Sequence, residues 1–306
     1  MAGIYVHIPF CKSKCRYCDF ASFPDKLCFA ESYMACLYRE MAMRKEELKG
    51  IKFDTLYIGG GTPSVVDENY IAMLVVAVKK NFNLAENAEI TIEMNPGTVS
   101  ASKIETYIKC GINRFSIGLQ TAIDSQLKEI GRIHNLKEFE LCTKLLKGRN
   151  FSVDVMIGLK DQTAKDVEKT IETAVYSGAN HISMYALSPE DGTPIYTDYL
   201  NGELPDGDEV AEMYDKGVKK LKALGFERYE VSNFAKKGFE SRHNLNYWLR
   251  GDYIGFGVSA SSCINNVRFT NTFDLDEYFK CILSNHLPVI NSEKIDFNGQ
   301  KEEVIM

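Results

Sequence analysis

The sequence predicts an α/β fold: a partial (β/α)6 barrel followed by a smaller C-terminal α+β region. Two observations predict it. Short runs rich in β-branched residues alternate with longer stretches of helical periodicity, the pattern of repeated βα units on a parallel sheet. The polar motifs fall directly after the strand candidates, and functional groups gather at the carboxyl ends of parallel strands. Strands are expected at 3–8, 55–59, 90–94, 114–119, 153–159 and 181–187. Between them, 25–49, 67–82, 100–110, 135–148 and 164–177 carry helix-like periodicity, with Asp67 and Ser100 as caps. Six units pairing in sequence through right-handed connections leave a barrel open on one side. The division expected is 1–225 for the barrel and 226–306 for the C-terminal region.

With 306 residues, 45% hydrophobic and 25% charged, the chain can bury a sizeable core. A net charge of −6 supplies no basic field for a polyanion, so nucleic acid is not an expected partner. No apolar run reaches bilayer length and the start lacks a secretory pattern, so the chain reads as cytoplasmic and not transmembrane. Nine cysteines, an odd number, argue in a reducing compartment for a metal site plus free thiols. Cys28, Cys36, Cys110, Cys142, Cys263 and Cys281 read as buried or half-buried thiols.

The other three cysteines crowd into Cys11-Lys12-Ser13-Lys14-Cys15-Arg16-Tyr17-Cys18, just after the first strand. Such soft ligands select iron–sulfur clusters, zinc or cuprous ions. Structural zinc wants four ligands, commonly in two pairs, and neither His7, Asp19 nor Cys28 completes a usual spacing. A cubane held by three cysteines keeps one iron open for chemistry. The competing reading is a helical stripe of core cysteines. It fits poorly, because Lys12, Ser13, Lys14 and Arg16 surround the thiols with polar and cationic groups expected to lower their pKa.

The CxxxCxxC spacing, with an aromatic before its last cysteine, resembles the signature of the radical S-adenosylmethionine (SAM) superfamily. The wider HIPFCxxxCxYCDF resembles the branch that holds oxygen-independent coproporphyrinogen III oxidase and the heme chaperone HemW. The resemblance implies a radical SAM barrel and a [4Fe–4S] cluster on Cys11, Cys15 and Cys18, with SAM on the open iron. It further implies a flavodoxin- or ferredoxin-type electron donor, whose electron cleaves SAM to a 5′-deoxyadenosyl radical.

After the second strand, Gly59-Gly60-Gly61-Thr62-Pro63 lacks the Lys-Ser/Thr that closes a phosphate-binding loop. It resembles the GGGTP of the same branch, where backbone groups hold the amino-acid end of SAM. Glu93, Gln120 and Arg132, at or near strand ends, supply the acceptor, amide and guanidinium that a zwitterion carrying a ribose needs. Each is also explicable as a surface polar residue. Asp154 is an acid inside an apolar strand, rare without a partner, and ribose hydroxyls would provide one. The resemblance assigns SAM contacts to Tyr5, Tyr17, Gly60, Gly61, Thr62, Glu93, Gln120, Arg132 and Asp154, and more weakly to the region of Ala186. Lys160 stands where the family usually has proline.

Further on, residues 243–248 read HNxxYW, placing His243 beside Tyr247 and Trp248, the chain's single tryptophan. Imidazole is a common axial ligand of heme iron and aromatic faces pack on a macrocycle; the alternative is a histidine hydrogen-bonded beneath a packed aromatic pair. HNxxYW is similar to the motif associated with heme binding in the chaperone members, which implies His243 as a heme ligand. Arg228, Arg242 and Arg250 are candidate propionate partners. Ser261 stands where the family commonly has histidine. Oxidase members carry a cysteine two residues beyond the last cluster cysteine, where this chain has Phe20. The resemblance therefore implies a SAM-cleaving heme chaperone that delivers heme to an acceptor protein, without coproporphyrinogen III oxidase activity. The alternative is that oxidase or another radical SAM enzyme acting on a tetrapyrrole. Relatives continue past the position of Met306, so the C-terminal region is expected to be truncated relative to the family.

Overall fold

The first strand, β1 (Ala2–Ile8), is buried at six of its seven positions, as a strand covered on both faces must be. It opens a parallel series in a computed structural model that describes residues 1–305. β2 (Lys52–Gly60), β3 (Asn83–Met94), β4 (Arg114–Gln120), β5 (Asn150–Ile157) and β6 (His181–Ala186) follow in sequence order, each parallel to the last. All six expected strands are therefore present, and the open, parallel arrangement is the expected one. β3 begins earlier than predicted because Asn83 and Leu84 pair with Lys52 and Phe53 before the register shifts.

The helices are α1 (Ala30–Arg44), α2 (Glu68–Asn81), α3 (Ala101–Cys110), α4 (Asp124–Glu129), α5 (Leu136–Leu145), α6 (Ala164–Tyr176), α7 (Pro194–Leu200) and α8 (Gly207–Ala223), then α9 (Arg242–Trp248), α10 (Leu275–Leu283) and α11 (Phe297–Ile305). Asp67 and Ser100 cap α2 and α3 as expected, and Asn135 closes a capping box with Glu138 at the start of α5. The single helix expected at 25–49 is instead a 3-10 stretch over Pro24–Phe29 followed by the shorter α1.

Beyond the sixth strand the chain lengthens the same sheet at both edges. β8 (Asn233–Ala235) adds antiparallel to β6, and β7 (Glu227–Arg228) adds antiparallel to β8. β9 (Asp252–Phe256) returns to the other edge and pairs parallel with β1, and β10 (Ser261–Ile264), β11 (Val267–Asn271) and β12 (Val289–Lys294) extend it antiparallel. This twelve-strand sheet runs continuously across the boundary expected at 225. Glu40 of α1 ties the added edge down: its buried carboxylate receives the Gly257 amide at 2.8 Å, the Asn271 amide group at 2.7 Å and the Tyr278 hydroxyl at 2.8 Å.

Candidate functional site

The cysteine loop leaves β1 and is stapled on three sides. Phe23 N–H donates to the Pro9 carbonyl at 2.7 Å, closing its base. Arg16 accepts Ile195 N–H at its carbonyl and donates its own N–H to Ile130, both at 3.1 Å. Its guanidinium pairs with Glu129 at 2.6 Å and Asp198 at 2.9 Å. Arg16 thus anchors the loop to α4 and α7, and its charge is engaged there rather than on the thiols. Lys12 and Lys14 likewise donate to the carbonyls of Gly97 and Phe20. Accordingly the thiols of Cys11 and Cys18 are raised, because burial outweighs the neighbouring cations. This corrects the expectation of lowered thiol pKa values; in such a setting the metal's own charge is what deprotonates a ligand.

A recess of about 150 Å³ lies against this loop, at the carboxyl ends of the parallel strands. It is lined by Cys11, Cys15, Cys18 and Tyr17 from the loop, Gly60, Gly61 and Thr62 after β2, Glu93 on β3, Gln120 at the end of β4, Arg132 and Asp154. Of the residues expected around the cluster and SAM, all are there except Tyr5, which lines the neighbouring cavity with Gly60 and Glu93, and the more weakly assigned Ala186. Ala186 is exposed and does not line the recess, whereas the preceding Tyr185 does and donates its hydroxyl to Gln120 at 2.9 Å. Tyr185 and Ser116 were not foreseen. Their strands were, but which alternate positions face the recess depends on a curvature that only the folded sheet reveals.

Local backbone explains the placement. Gln120 adopts φ +71° where the register of β4 against β5 slips, and such a bulge re-aims a side chain. A Cβ on Gly59 would sit 2.9 Å from the Glu93 carboxyl, and one on Gly60, which has φ +114°, 2.6 Å from the His7 ring. The glycines therefore admit the protein's own groups first. Gly60 N–H donates to Glu93 at 3.0 Å, Gly61 N–H to the Ile8 carbonyl at 2.9 Å and Thr62 N–H to the Phe10 carbonyl at 2.8 Å. With these amides occupied, the loop offers a ligand acceptor oxygens and the Thr62 hydroxyl, which suits an ammonium better than a carboxylate.

Arg132 donates to the Gly118 carbonyl at 2.7 Å and approaches Cys15 Sγ at 3.7 Å and the Tyr17 hydroxyl at 3.4 Å, while its buried Nε has no partner. That orphan donor fits an incoming carboxylate. Glu93 receives the Tyr57 hydroxyl at 2.8 Å, yet burial pushes its carboxyl up to about 7; burial also pushes Asp154 up to about 6. Two carboxyls held near neutrality beside one recess are poised to gain from a cationic or hydroxyl-bearing ligand. Among the described residues, no three His, Cys, Asp or Glu side chains converge as for a single metal ion. A cubane asks for less convergence, because its cysteines bind separate iron atoms, and three thiols on one recess match that donor set.

The neighbouring cavity measures about 1070 Å³. Tyr247, Trp248, Tyr253 and Phe273 line it, with Phe20 at its junction with the recess. Ser261 lies on its wall, as does Cys263, while Cys28, expected to be at least half-buried, is exposed. His243 is not on this wall. It is 2% exposed, with Nδ1 bonded to the Thr55 hydroxyl at 2.7 Å and Nε2 to the Tyr247 hydroxyl at 2.9 Å. Its ring stacks on Tyr57 at 5.1 Å, and burial lowers its pKa to about 3, keeping it neutral. The structure thus puts His243 in the hydrogen-bonded arrangement that was its alternative reading. Of the three candidate propionate partners, Arg250 lines the cavity, whereas Arg228 donates to the Tyr214 hydroxyl and Arg242 to the Asn87 carbonyl.

Comparisons with known proteins show the family and the fold. The Radical SAM superfamily model matches residues 5–174. The chain is similar to the heme chaperone HemW of Buchnera aphidicola subsp. Schizaphis graminum, 41% identical over 268 residues that cover 87% of this chain and 71% of the relative. It is similar to the heme chaperone HemW of Bacillus subtilis, 35% identical over 311 residues, covering 99% and 82%. Among solved structures it resembles coproporphyrinogen III oxidase (HemN) from Escherichia coli, a radical SAM enzyme, with a TM-score of 0.89 over 99% of this chain and 74% of that one. At 20% identity that likeness shows the fold. No helix among the described residues is long and apolar enough to cross a membrane.

Proposed function

Since this chain belongs to the radical SAM superfamily and, within it, to the family of heme chaperone HemW, we propose that it binds a [4Fe–4S] cluster, SAM and heme and delivers heme to an acceptor protein. The observation that carries the reading is the recess that gathers Cys11, Cys15 and Cys18 with Glu93, Gln120, Arg132 and Asp154 beside a cavity walled with aromatic rings. A bound cluster supplies the single electron that cleaves SAM. The chain's own part is to hold and orient. Three thiolates would hold the cluster, and Arg132, whose buried Nε has no partner, would receive the SAM carboxylate. Glu93 and Asp154 would accept from its ammonium and ribose hydroxyls, and Gln120, held by the Tyr185 hydroxyl, would meet the sugar. At about 150 Å³ the recess is below the usual size of a small-molecule site, so SAM would extend past Gly60 and Glu93 into the larger space.

Heme belongs in the larger cavity, where Tyr247, Trp248 and Phe273 offer apolar faces to a flat macrocycle. His243 already has the neutral imidazole that ligates iron, but it must first exchange its Tyr247 hydroxyl bond for the metal. Phe20, in place of the oxidase cysteine, argues against turnover of coproporphyrinogen. The test is anaerobic reconstitution followed by parallel assays for heme binding and coproporphyrinogen III turnover. Heme binding without turnover is expected; turnover would replace the chaperone reading with the oxidase.

A further inference from the structure

One wall of the large cavity is a pair of arginines closed on a carboxylate from a distant part of the chain. Arg250 Nε donates to Glu303 Oε2 at 2.8 Å, and Arg268 Nη2 donates to Glu303 Oε1 at 2.7 Å. Each oxygen of the one carboxylate thus has its own guanidinium, and both contacts are charge-assisted hydrogen bonds. All three residues line the cavity, and the side chains of Arg250 and Glu303 are only 18% and 22% exposed. Partial burial strengthens such charge-assisted bonds.

Arg250 also holds an unusual backbone position. It follows the end of α9 at φ +54°, the left-handed site where glycine is the common choice and a side chain brings strain. Gly251 is the very next residue, so the strain is borne by the residue that carries the guanidinium. Asn266 steadies that group, its Oδ1 accepting from Arg250 Nη2 at 3.4 Å.

We propose that Arg250 and Arg268 form a carboxylate clamp for a propionate of the tetrapyrrole, and that Glu303 occupies the clamp until the ligand displaces it. The assignment rests on the heme reading of the same cavity. It replaces Arg228 and Arg242 as propionate partners and adds Arg268, which no motif singles out. Geometry links the clamp to the HNxxYW motif, since Tyr253, beside Arg268, packs edge-on to Tyr247 at 4.7 Å between ring centres. A ligand held by its carboxylate at the clamp would lay its macrocycle towards Trp248 and Phe273.

Trp248 is the chain's only tryptophan and lines the cavity, so quenching of its fluorescence reads occupancy directly. The full chain is titrated anaerobically with ferric protoporphyrin IX and with its dimethyl ester, which keeps the macrocycle and removes both carboxylates. The free acid is expected to bind about tenfold or more tightly than the ester, the scale of a charge-assisted pair. Arg250→Ala with Arg268→Ala should abolish that preference, and Glu303→Gln should tighten the acid several-fold and leave the ester unchanged. Because the arginine variants could lose fold, the ester comparison and Glu303→Gln decide by themselves. Equal binding of acid and ester, or no gain in Glu303→Gln, overturns the clamp while the heme reading stands. Quenching by neither porphyrin overturns both.

Discussion

The carboxylate of Glu89, on β3, receives the backbone N–H of His243 at 3.1 Å, while its second oxygen takes that of Arg242, also at 3.1 Å. Those amides open α9 and have no partner within the helix. Glu89 thereby fixes the helix that carries the HNxxYW motif. Four residues on, Glu93 of the same strand serves the SAM recess. Successive even steps along a strand share a face, so one strand sets both sites in register.

Replacing that cap should loosen the motif helix first. Glu89→Ala should cost about 1–2 kcal/mol, the range of a lost cap or charge-assisted bond. Denaturant unfolding measures the loss. Heme affinity should fall with it, while the response of the cluster to SAM stays as in the parent chain.

Burial holds the Glu93 carboxyl at about 7, above its ordinary 4.5, with Asp154 adding to the effect and the Tyr57 and Gly60 bonds opposing it. A carboxyl raised in the folded state favours folding most when protonated, so this contribution is complete below the ordinary value and lost as pH rises through about 7. Binding of a cationic ligand runs the opposite way, since it needs the ionised form. SAM affinity measured by anaerobic calorimetry should therefore rise several-fold from about pH 6 to about pH 8. In Glu93→Gln that rise should flatten; an unchanged pH profile would remove Glu93 from the SAM site.

A methyl group at Gly60 should be costly for two reasons. Its Cβ would lie 2.6 Å from His7, and φ +114° is strained for any side chain. Gly60→Ala should cost roughly 1–3 kcal/mol. It should also disturb His7, which bridges the Tyr5 hydroxyl and the Ala21 carbonyl, so thermal unfolding and SAM affinity should fall together.

Glu40 carries the attachment of the added edge strands. Truncation to alanine strands the Gly257, Asn271 and Tyr278 donors and leaves Arg44 without its buried neighbour. Glu40→Ala should destabilise by about 3–5 kcal/mol, as breaking a buried charged network does. Glu40→Gln, which keeps an acceptor, should cost less. Chemical denaturation compares the pair.

Local signals made much of this legible. Asp67 and Ser100 announced their helices, and the cysteine loop after β1 and the GGGTP loop after β2 landed on one recess. Long-range pairings were not legible. β9 joins β1 in parallel across most of the chain, and Arg268 finds Glu303 over 35 positions, with no periodicity to announce either. α8 had a local signal, the capping box of Asp206 and Glu209, but Gly217 lowers the helix propensity of a helix that nonetheless runs unbroken to Ala223. The reason for the glycine is tertiary: a Cβ there would lie 2.5 Å from Met184 Sδ. The Thr55 and Tyr247 bonds of His243 were not legible either, because an imidazole suited to iron and one bonded to two hydroxyls have the same sequence signature.

Electron paramagnetic resonance of the anaerobically reconstituted, reduced chain, recorded with and without SAM, bears most directly on the central claim. A [4Fe–4S] signal whose g-values move when SAM is added is the expected result, lost when Cys11, Cys15 or Cys18 becomes alanine. A zinc-loaded protein, or an iron signal indifferent to SAM, would contradict it.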